Sequence, residues 1–206
     1  EMVARQIGVG AVIFHDLKTH RIHNVNFSWD EVLNFDGETG PYVQYTYART
    51  QSVLRKAGWP AAPSAEGKIV PLDMGRPAEP GAAEGACCSA DGGFCGVVTT
   101  GSNAGYAPVS GGEAAAWISG SKAWDVALHV LEFGKAVERA AAGSEPSQVA
   151  RYLLDLCQLY NRFYHDERIL VDDPAEREAK LMLTDAVGRV LRQGLYLLGL
   201  EAPAQI

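Results

Sequence analysis

Cysteine is scarce, with four residues in a chain of 206. That density excludes a small secreted scaffold held together by disulfides. No apolar run approaches the roughly 18 residues a membrane-spanning helix needs, so no membrane partner is expected. Positive charge is not in excess. The formal net charge is −7 at pH 7, which excludes a uniformly basic nucleic-acid coat but leaves room for a local basic patch. The opening residues, Glu1-Met2-Val3-Ala4-Arg5-Gln6, do not form a signal peptide, so a cytoplasmic location is expected. They also lack an initiator methionine, which suggests a fragment or a processed chain. Catalytic signatures are missing as well: there is no Walker motif, no His-Glu-x-x-His and no Ser-His-acid pattern. What remains is 47% hydrophobic and 21% charged, enough apolar material for a real core and too little charge for wholesale disorder.

The composition changes twice along the chain. Residues 59–121 hold 12 of the 22 glycines and six of the ten prolines, whereas the flanking regions read as helical. In the first region, Val3–Ile7 reads as the tail of a helix that Gly8 or Gly10 would stop, and Ala11–Phe14 as a strand or a buried helical turn. The mixed polar segment from His15 to Asn26 reads as a surface loop. His15, His20 and His23 are spaced by five and three, which fits no standard metal site. Phe27 and Trp29 are expected to anchor the turn around Asp30–Leu33. Thr39 can cap a helix over Pro41–Lys56, with Pro41 in its first turn and Gly58 as its stop. Val43, Tyr47 and Leu54 lie on one face of that helix, with Tyr42, Tyr45 and Arg49 on another.

The middle region resists a helical reading because its prolines interrupt every candidate. Phe94–Thr100 can form a short strand. The segment is expected to be an exposed, partly disordered insertion or a small β-rich subdomain. Cys87, Cys88 and Cys95 cluster there without an obvious fourth ligand, so ordinary thiols are expected rather than a closed metal site.

The third region predicts three helices. The first spans about Lys122–Ala142, with Ala127, Val130, Leu131, Val137 and Ala141 at helical spacing. The second spans Ser147–His165, its apolar side formed by Val149, Leu153, Leu156, Cys157, Tyr160, Phe163 and Tyr164. Cys157 falls within that stripe and reads as a buried small hydrophobe. Arg151 and Asp155 are placed to pair. The third helix starts at Asp173 as cap and Pro174 as first residue, with Glu176 in a capping-box arrangement, and ends at Gly199. Its apolar positions are Met182, Ala186, Val190 and Leu197. With Pro41–Lys56 these helices make a mainly α, four-helix bundle. His129 reads as structural or surface, and His165 with Asp166 and Glu167 as a helix end. No catalytic residue and no metal site is expected.

Tyrosines can stack on unpaired bases and arginine can reach a phosphate or stack on a ring, so Tyr42, Tyr45 and Arg49, with Asn161 and Arg162, suit RNA. Spacing alone supports a helical module that binds RNA or a protein.

The wording of particular segments goes further. Phe27-Ser28-Trp29-Asp30, Phe35-Asp36-Gly37-Glu38-Thr39-Gly40-Pro41-Tyr42-Val43-Gln44-Tyr45 and Ala48-Arg49 resemble arginyl-tRNA synthetase, a class I enzyme. Ala150-Arg151-Tyr152-Leu153-Leu154-Asp155-Leu156 and Asn161-Arg162-Phe163-Tyr164 resemble helix two of that family's helical anticodon-binding domain. Val171-Asp172-Asp173-Pro174 and Leu197-Leu198-Gly199-Leu200-Glu201-Ala202-Pro203 resemble its last connection, last helix and tail. Cysteinyl enzymes share the domain type, but the Gly40–Tyr45 block looks arginyl.

The resemblance implies that residues 1–40 are the end of the catalytic half and a connector. Residues 41–58 would be the first helix of the anticodon-binding domain, 59–121 an insertion longer than the family's usual link, and 122–206 the remaining helices. The family's ATP-binding signatures of the His-Ile-Gly-His and Lys-Met-Ser-Lys types are absent, so the chain alone should not activate arginine and binds no cofactor itself. The intact enzyme would join arginine to tRNA(Arg) with ATP and magnesium. Carried over residue by residue, the family's anticodon contacts fall on Tyr42, Tyr45 and Arg49, on Asn161 and Arg162, and on Ile206 in the tail. Gln44 would secure the first helix to the catalytic half. Trp29, Asp173, Pro174 and Gly199 would be structural. The implied partners are the anticodon loop of tRNA(Arg) and the enzyme's own catalytic half, in a monomer. A helical protein-interaction module descended from such an enzyme is the alternative, and a metal-binding insertion around Cys87, Cys88 and Cys95 a third.

Overall fold

One close approach and a set of well-formed helix ends organise the chain. The computed structural model describes residues 1–59 and 121–206. Cys87, Cys88, Cys95 and the Phe94–Thr100 segment lie outside the described residues. Within them the structure is helical: α1 (Met2–Leu17), α2 (Trp29–Val32), α3 (Gly40–Lys56), α4 (Lys122–Leu131), α5 (Phe133–Gly143), α6 (Ser147–Asp166) and α7 (Pro174–Leu197). No helix among the described residues is long and apolar enough to cross a membrane.

The ends follow local chemistry. The Thr39 hydroxyl accepts from the Tyr42 amide and Pro41 occupies the first turn of α3. The other end closes with Gly58 at φ +66°, the Gly58 amide donating to the Arg55 carbonyl and the Trp59 amide to Leu54. The Asp173 carboxylate accepts from the Ala175 and Glu176 amides at 2.9 Å each to start α7. Glu176 does not reach back to complete a capping box; it pairs with Lys180 instead. Gly199, at φ +75°, closes α7 with the same pair of backbone bonds, Gly199 to Tyr196 and Leu200 to Leu195.

α1 departs from the sequence reading. Neither Gly8 nor Gly10 stops it, and Ala11–Phe14 is helix. Gly10 is where α1 meets α3: a Cβ at Gly40 would lie 2.8 Å from the Gly10 carbonyl oxygen. Two glycines let the backbones touch, and the buried side of α1 (Ala11, Phe14) packs on α3. Phe27 and Trp29 stand at the entrance to α2. They are 48% and 61% exposed and meet edge-to-face, ring centroids 4.8 Å apart.

The predicted helix over 122–142 is two helices joined at Glu132, whose amide reaches back to the His129 carbonyl in a tight turn. The turn rotates the buried face onto Ala123 and Val126, then Phe133, Ala136 and Ala140, leaving Leu131 exposed. His129 is structural: its ring stacks on Tyr152 at 4.4 Å, and the Tyr152 hydroxyl donates to the His129 carbonyl at 2.6 Å.

The core runs between α3, α6 and α7. Leu153, Leu156, Tyr160, Phe163, Val187, Leu191 and Leu195 are all buried. In α7 the buried stripe is thus shifted from the expected one, and Met182 and Leu197 face outward. Arg151 and Asp155 do not pair. The buried Lys180 ammonium ties the α6–α7 connection down through the Arg168 carbonyl, Glu167 and Glu176.

Candidate nucleic-acid interface

α3 and α6 pack side by side, and their partly exposed seam carries most of the residues implicated by sequence. Tyr45 projects outward, 42% exposed, four residues before Arg49 on the same helix. The Arg49 guanidinium lies 5.0 Å from the Tyr45 ring centroid and 5.0 Å from that of Tyr164, which comes from α6. Arginine sandwiched between rings is held by the attraction of its charge to both π faces. Phe35 extends the aromatic surface, its centroid 6.5 Å from Tyr45 and nearly perpendicular to it.

Arg49 does not simply project toward solvent. Its Nη1 donates to Asn161 Oδ1 at 2.6 Å. Asn161 Nδ2 donates in turn to the Tyr42 hydroxyl oxygen at 2.9 Å and to Thr46 Oγ1 at 3.2 Å. Thr46 passes its own proton to the Tyr42 carbonyl at 2.9 Å. Beyond this network lies an open cleft of about 350 Å³, lined by Tyr42, Gln158, Asn161, Arg162, His165 and Asp166. The α6 residues lining it recur at helical spacing along one face.

Burial raises the Tyr42 phenol above its ordinary value of 10.0, and the hydrogen bond from Asn161 opposes this only in part. Tyr42 is therefore protonated throughout the physiological range. Asp166 is held below its ordinary value by the His165 hydrogen bond and then by Lys122, so it is an anion already matched by two neighbours. The guanidinium of Arg162, on the exposed side of α6 and unpaired among the described residues, gives the cleft a positive rim. Cys157 sits behind the seam, fully buried, its thiol pushed up to about 12 by desolvation; it takes no part in the surface.

Tyr42, Tyr45, Arg49, Asn161 and Arg162 are thus gathered along one seam. Ile206 is 49% exposed at the end of the tail. Gln44 lies on the opposite side of α3, fully buried, and its Nε2 donates to the Glu201 carbonyl at 2.8 Å and the Gln6 carbonyl at 3.3 Å. It fastens α1 and the C-terminal tail to α3. Spacing places Tyr164 on the apolar side of α6; at 40% exposure it is instead half of the arginine sandwich. Its position three after Asn161, at the edge of the apolar stripe, was the available signal. His20 and His23 meet ring to ring, centroids 6.0 Å apart, but His15 does not join them, and no cluster of three potential metal ligands occurs among the described residues. His15 instead meets the Asn26 carbonyl.

The DALR anticodon binding domain matches residues 103–206, and the chain belongs to that family. Arginine–tRNA ligase 1 of Bacillus thuringiensis subsp. konkukian is 35% identical over 204 residues, covering 99% of this chain and 27% of the relative. The arginine–tRNA ligase of Enterococcus faecalis is 37% identical over 206 residues, covering 100% and 28%. Among solved structures, Thermus thermophilus arginyl-tRNA synthetase superposes with a TM-score of 0.66 at 30% identity, over 98% of this chain and 27% of that one. The Plasmodium falciparum arginyl-tRNA synthetase, at 20% identity and a TM-score of 0.67 over 100% of this chain and 28% of that one, shares the fold. The chain thus spans just over a quarter of the length of the curated relatives it matches.

Proposed function

We propose that this chain recognises the anticodon loop of tRNA(Arg) as part of an arginine–tRNA ligase. The observation that carries the reading is the Tyr45–Arg49–Tyr164 sandwich beside the Tyr42–Asn161–Arg162 cleft, on a bundle of the anticodon-binding family. Unpaired bases stack on aromatic or guanidinium planes, while flanking cations hold the backbone. A net negative chain tolerates this role if its cations converge on the contact face, as Arg49 and Arg162 do.

In this reading the intact enzyme uses ATP and magnesium to attach arginine, in the cytoplasm and as a monomer. Residues 1–40 link its catalytic half to the bundle. This chain by itself binds neither ATP nor magnesium and does not activate arginine, which arginine-dependent exchange of pyrophosphate into ATP would check. The test of recognition is a titration of the chain against tRNA(Arg) transcripts with intact and altered anticodons. Preference for the intact anticodon is expected; equal affinity for all transcripts would sink the anticodon role.

A further inference from the structure

The hydrogen bonds of the seam can be accounted for donor by donor. Arginine has no acceptor, so the Asn161 atom facing Arg49 at 2.6 Å must be the carbonyl oxygen. That fixes the orientation of the amide. Its nitrogen then spends one proton on the Tyr42 hydroxyl and the other on Thr46. Thr46 can accept because its own proton goes to the Tyr42 carbonyl. Asn161 therefore has no N–H left with which to read a ligand. Tyr42 is in the opposite position. Its oxygen accepts from Asn161, and an amide nitrogen cannot accept in return, so the phenolic proton points elsewhere. Among the described residues no other cleft group takes it: Arg162 carries only donors, and no hydrogen bond joins the Tyr42 hydroxyl to Gln158, His165 or Asp166. Tyr42 remains a neutral phenol because burial disfavours its anion.

We propose that the Tyr42 hydroxyl is the specificity-determining donor of this cleft, reading an acceptor atom on one unpaired loop base, and that Asn161 and Arg49 are positioning residues that aim it. The inference rests on the anticodon-loop reading above and adds which group reads and with what polarity. The bound edge must present a keto oxygen or an unprotonated ring nitrogen. The cleft, at about 350 Å³, is at the small end of ligand sites and suits a single base rather than a stack of them.

The experiment uses the 206-residue chain and RNA hairpins carrying the tRNA(Arg) anticodon loop, one intact and the others each with a single abasic loop position. Two nearly isosteric substitutions are compared. Tyr42→Phe removes the donor. Asn161→Asp keeps the Arg49 contact but offers Tyr42 a carboxylate acceptor, turning the phenolic proton inward. Both should weaken binding to the intact hairpin about three- to tenfold, the range of one neutral hydrogen bond. The Tyr42→Phe loss should vanish on the one hairpin lacking the base that Tyr42 reads. Asn161→Asp adds a charge, so part of its loss persists on every hairpin, but its excess should disappear at that same position. Tyr42→Phe binding like the wild type, or losing equally on all hairpins, would overturn the proposal while leaving the RNA reading in place. Failure of the wild-type chain to bind any hairpin would overturn that reading itself, and the proposal with it.

Discussion

Replacing Gly40 with alanine tests how residues 1–40 are fastened to the bundle. The added Cβ would lie 2.8 Å from the Gly10 carbonyl oxygen, 2.9 Å from Phe14 Cβ and 3.2 Å from the Gly10 carbonyl carbon. A comfortable carbon–oxygen approach is about 3.3–3.6 Å, so α1 must retreat by roughly 0.5 Å. Two of the obstructing atoms are backbone and cannot rotate away. Overpacking of this kind costs about 1–3 kcal/mol. Better helix propensity returns at most about 1 kcal/mol, and less in a first turn. The net loss is about 1–2 kcal/mol, and at roughly 2–4 °C per kcal/mol for a domain of this size Tm should fall by about 2–8 °C. Gly8→Ala is the internal control: it lies mid-helix in α1 with no heavy atom within 4 Å of the new Cβ. It should stabilise by about 0.5–1 kcal/mol. Thermal unfolding followed by circular dichroism reads both. A Gly40→Ala chain as stable as the Gly8→Ala chain would refute the close approach of α1 and α3.

Other expectations follow from individual contacts. Asp173→Ala removes the cap that two amides share and should cost about 1 kcal/mol in urea unfolding. Ser144 adopts φ +49° at the end of α5, the left-handed region, so Ser144→Gly should gain a few tenths of a kcal/mol, to about 1 kcal/mol. Glu145, buried at the α5–α6 junction, accepts from the Ser147 hydroxyl at 2.8 Å and faces His20 at 3.2 Å and Arg21 at 3.7 Å. The Ser147 bond first, then the His20 and Arg21 side chains, hold its carboxyl below the ordinary value of 4.5 against the opposing effect of burial. Its stabilising contribution is therefore full above about pH 4.5 and is lost as pH falls through the lowered value. Glu145→Gln should be less stable at neutral pH, with the gap to wild type closing on acidification in a pH series of urea midpoints. A constant gap would contradict this.

Features set by a few neighbouring residues were legible in the sequence. Thr39 with Pro41, Asp173 with Pro174, and the glycines Gly58 and Gly199 are local devices that need no tertiary partner. Helix registers were less legible where apolar residues sit side by side. Leu181-Met182-Leu183 and Leu195-Tyr196-Leu197-Leu198 offer more than one plausible stripe, and packing against α3 and α6 selects Leu183 and Leu195 over Met182 and Leu197. The break at Glu132 depends on Phe133 and His129 both reaching Tyr152 from a different helix. Gly10 read as a stop because its spatial partner, Gly40, is remote in sequence. The candidate site divides the same way. The Tyr45–Arg49 pair is helical spacing, but Arg49 meets Asn161 across 112 residues and Asn161 meets Tyr42 across 119, so no local pattern could show that Asn161 spends its donors internally.

The central claim is that the outward rings of the α3–α6 seam meet RNA, and Tyr45→Ala measures it most directly. Tyr45 is 42% exposed, so its loss should leave Tm nearly unchanged. If its ring stacks on a base, affinity for tRNA(Arg) should weaken by about 1–3 kcal/mol. An unchanged affinity accompanied by a clear fall in Tm would instead make Tyr45 a packing residue and leave the seam without a role in RNA recognition.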